Sequence, residues 1–294
     1  MAGRRKWIAA GLLVMVVAVA LLVGLGRAKP ADAVSAAVTR SENAGGARLA
    51  MTVTVSDSAA QKSAIVTASG VFDQSDADLT VDLSSLAGGS GLSLPPGLGS
   101  LELRYLQESG DPVVYVNVPF LAVMQPGGKS WIRADLEQAA KAGGFDLNQF
   151  LNQSNQNPGQ VLDLLRATGS VQQVGTETVD GVATTHYTAT IDLQKAAALQ
   201  GQKLQSFVDH LAAAGAPTQI PLDVWIGSDD GLVHKLTVDE HLKDATVDLT
   251  LDISDYGTPV SVTAPPSDQV VNLSDLLAKA GQFAHGSAGF GVTH

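Results

Sequence analysis

No cysteine occurs anywhere in the 294 residues. That absence excludes disulfides, thiolate metal centres and lipidation at an N-terminal lipobox cysteine, and it leaves the redox compartment open. Charge is also sparse. Asp, Glu, Lys and Arg make up 16% of the chain, so Ser, Thr, Asn and Gln must supply much of the polar surface. Aromatic residues are only 5%, which leaves an interior built from Val, Leu, Ile and Ala. Signatures of catalysis are missing too: there is no Gly-x-Ser-x-Gly, His-Glu-x-x-His, Ser-x-x-Lys, phosphate-binding loop or Gly-x-Gly-x-x-Gly. An enzyme is not expected, and neither is a cofactor.

What charge there is divides sharply. Arg4, Arg5, Lys6, Arg27 and Lys29 precede residue 30, and no acidic residue does. With the other 13 of the 18 basic residues and all 29 acidic ones beyond that point, the remaining chain carries a formal charge of −16. An acidic body argues against nucleic-acid binding, which needs a basic footprint. Between the two basic groups, Trp7 to Gly26 is uncharged and almost wholly apolar. As a helix, such a run is about 30 Å long, one hydrocarbon core. The positive flank at Arg4–Lys6 places the N-terminus in the cytoplasm and the body outside. The small-x-small pattern Ala31-Asp-Ala33 allows the alternative of a signal sequence cleaved near Ala33 and a secreted body. The expected division is an anchor or signal over 1–29, one domain over 30–275 and a flexible tail over 276–294.

The body reads mainly as sheet. Leu49, Met51, Val53 and Val55 alternate with Ala50, Thr52, Thr54 and Ser56, and Val247, Leu249, Leu251 and Ile253 alternate with polar residues. Period 2 of this kind predicts half-buried strands. Similar runs fall at 63–72, 77–83, 101–106, 113–118, 131–133, 171–178, 183–193, 222–226 and 232–241. Asp180-Gly181 and Ser228-Asp-Asp-Gly231 are hairpin turn signals between β-branched runs. Helices are predicted at 32–45, 135–142, 146–151, 158–168 and 195–215, and a Gly/Pro/Leu-rich loop at 88–99. Strand runs with segregated helices mean an α+β fold. The expectation is one large curved antiparallel sheet of ten or eleven strands, a half-barrel with helices on its concave face.

Polar candidates have structural explanations. His234 and His241 are seven residues apart on one predicted strand and face opposite sides, so no metal is expected between them. Asp73, Asp76 and Asp78 lack the Gly and closing Glu of a calcium loop. Asp135 and Glu137 fit the acidic first turn of a helix.

Five segments together resemble the mycobacterial LppX/LprG-type lipoprotein family, relatives of the LolA/LolB carriers: Lys129-Ser-Trp131-Ile-Arg133, Asn157 to Leu165, Val179 to Tyr187, Val224 to Val233 and Tyr256 to Pro266. The resemblance covers about residues 31–275. It implies a half-barrel with helices in its mouth and a non-enzymatic, monomeric carrier of lipid or glycolipid acyl chains. A membrane transporter would be a fitting partner. The chain departs from the family in lacking the lipidated cysteine; the N-terminal helix would serve as anchor instead. Acyl chains are held by apolar burial rather than by a polar motif. The expected lining is therefore aliphatic: Leu49, Met51, Val53, Leu101, Leu103, Leu151, Leu162, Leu165, Val247, Leu249 and Leu251. The alternative is a cell-surface sensor or protein-interaction module of the same fold, its interior filled and without lipid.

Overall fold

Alternating apolar and polar residues along the chain produce strands, and in the computed structural model twelve of them join one sheet. The structure describes residues 33–57, 62–89, 98–109, 111–124, 127–136, 171–194, 205, 208–209, 212, 217–242 and 245–276. A helix, α1 (Ala33–Asn43), comes first. A meander follows: β1 (Ala47–Asp57), β2 (Lys62–Phe72), β3 (Ala77–Asp82), β4 (Ser100–Glu108), β5 (Asp111–Asn117) and β6 (Trp131–Asp135). Two short helices interrupt it, α2 (Ser84–Gly89) and α3 (Leu121–Met124). A second meander runs through β7 (Gln172–Val179), β8 (Val182–Asp192), β9 (Gln219–Gly227), β10 (Val233–Leu242) and β11 (Ala245–Ser254), and β12 (Val270–Asn272) closes the series.

The spatial order β12-β6-β5-β4-β3-β2-β1-β11-β10-β9-β8-β7 shows how the halves meet. Each meander is a run of antiparallel neighbours, and β1 pairs with β11 to weld them into an open sheet. The weld is the best-patterned pair of the sequence. Leu49 faces Ile253, Met51 faces Leu251, Val53 faces Leu249 and Val55 faces Val247. Directly opposed side chains share a face, so these eight form an apolar block on one side. α1 sets Val34 and Ala37 against that side, within one buried cluster. We call it the α1 face.

The expected sheet is present, with corrections. It has twelve strands rather than ten or eleven, and the added one, β12, pairs parallel with β6. Asp135 ends β6 and helix begins one residue later, at Leu136; the rest of that expected helix, 137–142, lies outside the described residues. The region read as a loop over 88–99 begins inside α2. This helix protects an edge: β3 pairs only with Thr67–Phe72 of β2, and beyond it the Ile65 N–H donates to Ser85 Oγ at 2.9 Å while the Ser85 hydroxyl donates to the Ile65 carbonyl. The helices expected at 146–151 and 158–168, most of that at 195–215, the run 7–26 and the tail from 277 on lie outside the described residues. Among the described residues, no helix is long and apolar enough to cross a membrane.

The hairpin signals behave as their chemistry requires. Asp180 and Gly181 both take positive φ, 47° and 84°, as a tight turn joining β7 to β8 demands. Between β9 and β10, Asp230 caps the turn by accepting the Leu232 N–H at 2.9 Å. The strand then bulges between Val233 and Lys235. α1 is tied to this bulge, because Ser41 Oγ accepts the Val233 N–H at 2.8 Å and the Tyr256 hydroxyl donates to the Val233 carbonyl. Burial pushes the Tyr256 phenol up to about 12. The raised value means that folding favours the protonated phenol. Its contribution is complete below pH 10 and disappears as pH rises towards about 12. Tyr256→Phe is expected to cost about 1 kcal/mol at neutral pH and to flatten this alkaline loss in urea melts taken across that range.

Candidate functional site

The register extends the α1 face across the first meander. Leu49 stands beside Gly70, Gly70 beside Leu79, Leu79 beside Leu103, Leu103 beside Val116 and Val116 beside Ile132. A parallel row runs Met51, Ala68, Val81, Leu101, and a third Ala47, Phe72, Ala77, Tyr105, Val114, Ala134. Every member is apolar or, for Tyr105, amphipathic. The candidate site is this continuous apolar wall.

Its two ends differ in cover. Around the weld Leu49, Val53, Val247, Leu249 and Leu251 are buried, sharing one cluster with Val224 and Ile226 of β9 and with Val34 and Ala37 of α1. Towards the edge Leu101, Leu103, Val114, Val116, Ile132 and Ala134 are all half-buried. Met51 is half-buried as well and sits between the two regions. Of the eleven residues expected to line a cavity, five are thus core and three (Met51, Leu101 and Leu103) belong to the less covered wall. Leu151, Leu162 and Leu165 lie outside the described residues. Val114, Val116, Ile132 and Ala134 were missed by sequence reasoning. Their alternation was visible in 113–118 and 131–133, but only the register assigns them to the α1 face.

The far face is polar, with one apolar island. Val113 and Tyr115 of β5, Leu106 of β4 and Trp131 of β6 are buried there, with Val262 and Val270 of the last segment packed on them. Arg104 clamps this segment: its guanidinium lies 4.8 Å from the Trp131 ring centroid and Nη1 donates to the Thr263 carbonyl at 3.0 Å. Beside it Arg133 pairs with Glu108 at 2.9 Å, and the Tyr115 hydroxyl donates to the same carboxylate. Burial alone would raise the Glu108 carboxyl, but these two donors bring it below the usual range. Tyr115 and Arg133 are both raised, against an opposing effect of burial on Arg133. The cluster fixes β4, β5 and β6 to one another and to the chain leading into β12.

The histidines also have structural partners. His186 stacks on Trp225 at 4.3 Å and 12°, accompanied by Asp223 at 2.8 Å and Glu177 at 3.3 Å, and the Trp225 indole donates to Glu177. Lys235 lies 5.4 Å from the same indole ring, so β7 to β10 are laced together across their solvent side. His234 meets Asp230 at 3.0 Å and the edge of Tyr256, whereas His241 meets Asp239 at 3.1 Å. Asp73 accepts the amides of Ser75 and Asp76, both at 2.8 Å, which makes it a turn residue. Asp78 instead approaches Arg104 at 3.6 Å. Among the described residues no group of three or more His, Asp or Glu is arranged to hold a metal ion.

No family model matches the chain. It is 33% identical over 208 residues to an uncharacterised 31.2 kDa protein of Streptomyces griseus, encoded between rplA and rplJ, with 69% of this chain covered. It is 28% identical over 188 residues to a Streptomyces coelicolor protein named as a candidate lipoprotein, with 63% of this chain covered. The chain spans 66% and 55% of these relatives' own lengths, under two thirds in each. Among solved structures it is similar to the Mycobacterium tuberculosis lipoprotein LppX, at 19% identity and TM-score 0.41, covering 78% of this chain and 97% of that one. It is also similar to LprF of Mycobacterium bovis, at 14% identity and TM-score 0.40, covering 80% and 96%.

Proposed function

We propose that this chain is an extracytoplasmic binder or carrier of amphiphiles with long acyl chains, lipids or glycolipids, held against the half-buried part of the α1 face. One observation carries the reading. The apolar rows of the sheet do not end where the buried core ends; they continue over β4, β5 and β6 as half-buried aliphatic residues. A wall of that kind gains from covering by hydrocarbon at about 25 cal/mol per Å², and it asks for no polar motif. The buried block at the weld is the frame, and Met51, Leu101, Leu103, Val114, Val116 and Ile132 are the binding surface. Anchoring by the run 7–26, an outward-facing body, and handover to or from a membrane transporter belong to the same proposal, as does a protein without catalytic activity acting as a monomer.

The test is a displacement titration on the full chain with the neutral fluorophore N-phenyl-1-naphthylamine. The expected result is saturable binding at one site, with palmitate displacing the probe at least about a hundredfold better than hexanoate, since each buried methylene contributes about 0.8 kcal/mol. Non-saturable fluorescence, or displacement indifferent to chain length, would contradict it.

A further inference from the structure

At one end of the sheet the wall strands run into their most weakly charged connections. The register gathers the end of β3, the start of β4, the end of β5 and the start of β6 there: Asp82 faces Ser100, Glu102 faces Asn117 and Asn117 faces Trp131. Residues 112–134, which span the β5–β6 connection, form the longest stretch of the acidic body without Asp or Glu and include Lys129 and Arg133. Residues 83–101, which span the β3–β4 connection, carry no charge at all.

The β5–β6 connection is apolar and held in shape. The ladder continues past Asn117, where the Val118 N–H donates to the Ser130 carbonyl at 2.8 Å, so the wall positions Val114 and Val116 lead on to Val118. Val118-Pro-Phe-Leu-Ala-Val123 then turns through α3, with the Leu121 and Val123 amides donating to the carbonyls of Val118 and Phe120 at 2.9 and 3.2 Å. Val123 is 84% exposed, the most of any large hydrophobic residue among those described, and Pro119 is exposed beside it. Phe120, Leu121 and Ala122 are half-buried. Backbone hydrogen bonds thus hold an aliphatic side chain out in water, where covering it by hydrocarbon would gain free energy. Lys129 stands at the foot of the turn, its ammonium held by an uncharged acceptor, the Val270 carbonyl, at 2.8 Å.

We propose that this turn is a membrane-docking tip. Val123 and its apolar neighbours enter the boundary between head groups and acyl chains of a bilayer, and Lys129 meets anionic head groups. The acidic remainder of the body is repelled by the same surface, so the acid-free end is the one that approaches. Docking sets the half-buried wall end-on to the bilayer, the orientation in which a lipid passes between them. That passage rests on the acyl-chain reading above; the docking does not.

The absence of cysteine permits single-site labelling. Val123→Cys and, in the β9–β10 turn at the opposite end of the sheet, Ser228→Cys each carry a nitrobenzoxadiazole label on the full chain, mixed with phosphatidylcholine vesicles with and without phosphatidylglycerol. Both proteins share the run 7–26, so its own membrane affinity bears on the two alike. The expected result is a several-fold rise in emission at position 123, quenched by spin-labelled acyl chains and larger with phosphatidylglycerol, while position 228 stays aqueous. A label at 123 that ignores every vesicle, or responds no more than the one at 228, overturns the docking tip; a protein partner would then be the occupant to seek. Titration of the same proteins with N-phenyl-1-naphthylamine, without vesicles, reads acyl binding separately. Saturable probe binding with a silent label at 123 overturns the tip alone. An inserted label without probe binding supports the tip and overturns the acyl-chain reading.

Discussion

Gly70→Ala is expected to destabilise the fold by about 3 kcal/mol, the upper end of overpacking costs. Gly70 sits mid-strand in β2 on the α1 face, between Leu49 of β1 and Leu79 of β3. A Cβ built there would lie 2.0 Å from the Asp78 carbonyl oxygen and 2.9 Å from the Leu79 Cα. Both are backbone atoms of the paired strand, so no side chain can swing away; β3 itself must move. Glycine inside a strand marks such close approaches. The control is Gly175→Ala in β7, where an added Cβ meets nothing within 4 Å. That change should stay within about 0.5 kcal/mol. Urea midpoints of the two variants and the wild type decide it. A Gly70→Ala protein as stable as the wild type would mean that the β2–β3 register is wrong. The rows that carry the apolar wall from β1 to β6 would then be wrong as well, since they cross that pair.

Leu103→Glu is expected to weaken binding of a long acyl chain by roughly thirtyfold, about 2 kcal/mol. Leu103 lies between Leu79 and Val116 in the central row and is half-buried, so the fold tolerates the change better than it would at Leu49 or Leu249. The new carboxylate replaces contact with two or three methylenes and brings a charge that hydrocarbon cannot solvate. Leu249→Ala supplies the contrast. Leu249 is 4% exposed and part of the welded core, so its truncation should lower stability by about 2–4 kcal/mol and alter affinity little under conditions where the protein remains folded. Equal affinity for Leu103→Glu and the wild type would remove β4 from the binding wall.

These two residues also show where the chain was legible as sequence. Leu103 and Leu249 were both picked out by period 2, and that period sufficed to find β1, β11 and the faces they bury. It could not tell their roles apart. Whether an aliphatic residue is core or wall depends on what lies across from it, which is long-range information that periodicity does not hold. β12 escaped notice because three residues, Val270-Val-Asn272, are too short to display a period and gain their place only from parallel pairing with β6. Asp135 was read as the start of a helix because an acidic residue before Leu136 and Glu137 fits a first turn; pairing with Val113 holds it in β6 instead. Asp180-Gly181 was read correctly because positive φ at two successive residues is a demand that local chemistry answers.

The resemblance to LppX-type lipoproteins rested on segments whose work the fold now explains in part. Trp131, within the first of them, is buried on the far face beneath the segment through Val262 to Val270. Arg104 bonds to Thr263, inside the last of them. These residues hold β6 and the chain before β12 in place. They support the wall from behind and do not belong to it.

The most direct measurement is organic extraction of the purified full chain followed by mass spectrometry, with Leu103→Glu treated in parallel. An acyl-chain binder should release close to one equivalent of long-chain amphiphile from the wild type and several-fold less from the variant. Wild-type protein that is folded yet free of lipid, and remains so after incubation with acyl-chain lipids, would contradict the assignment and favour an interaction module of the same architecture with a filled interior.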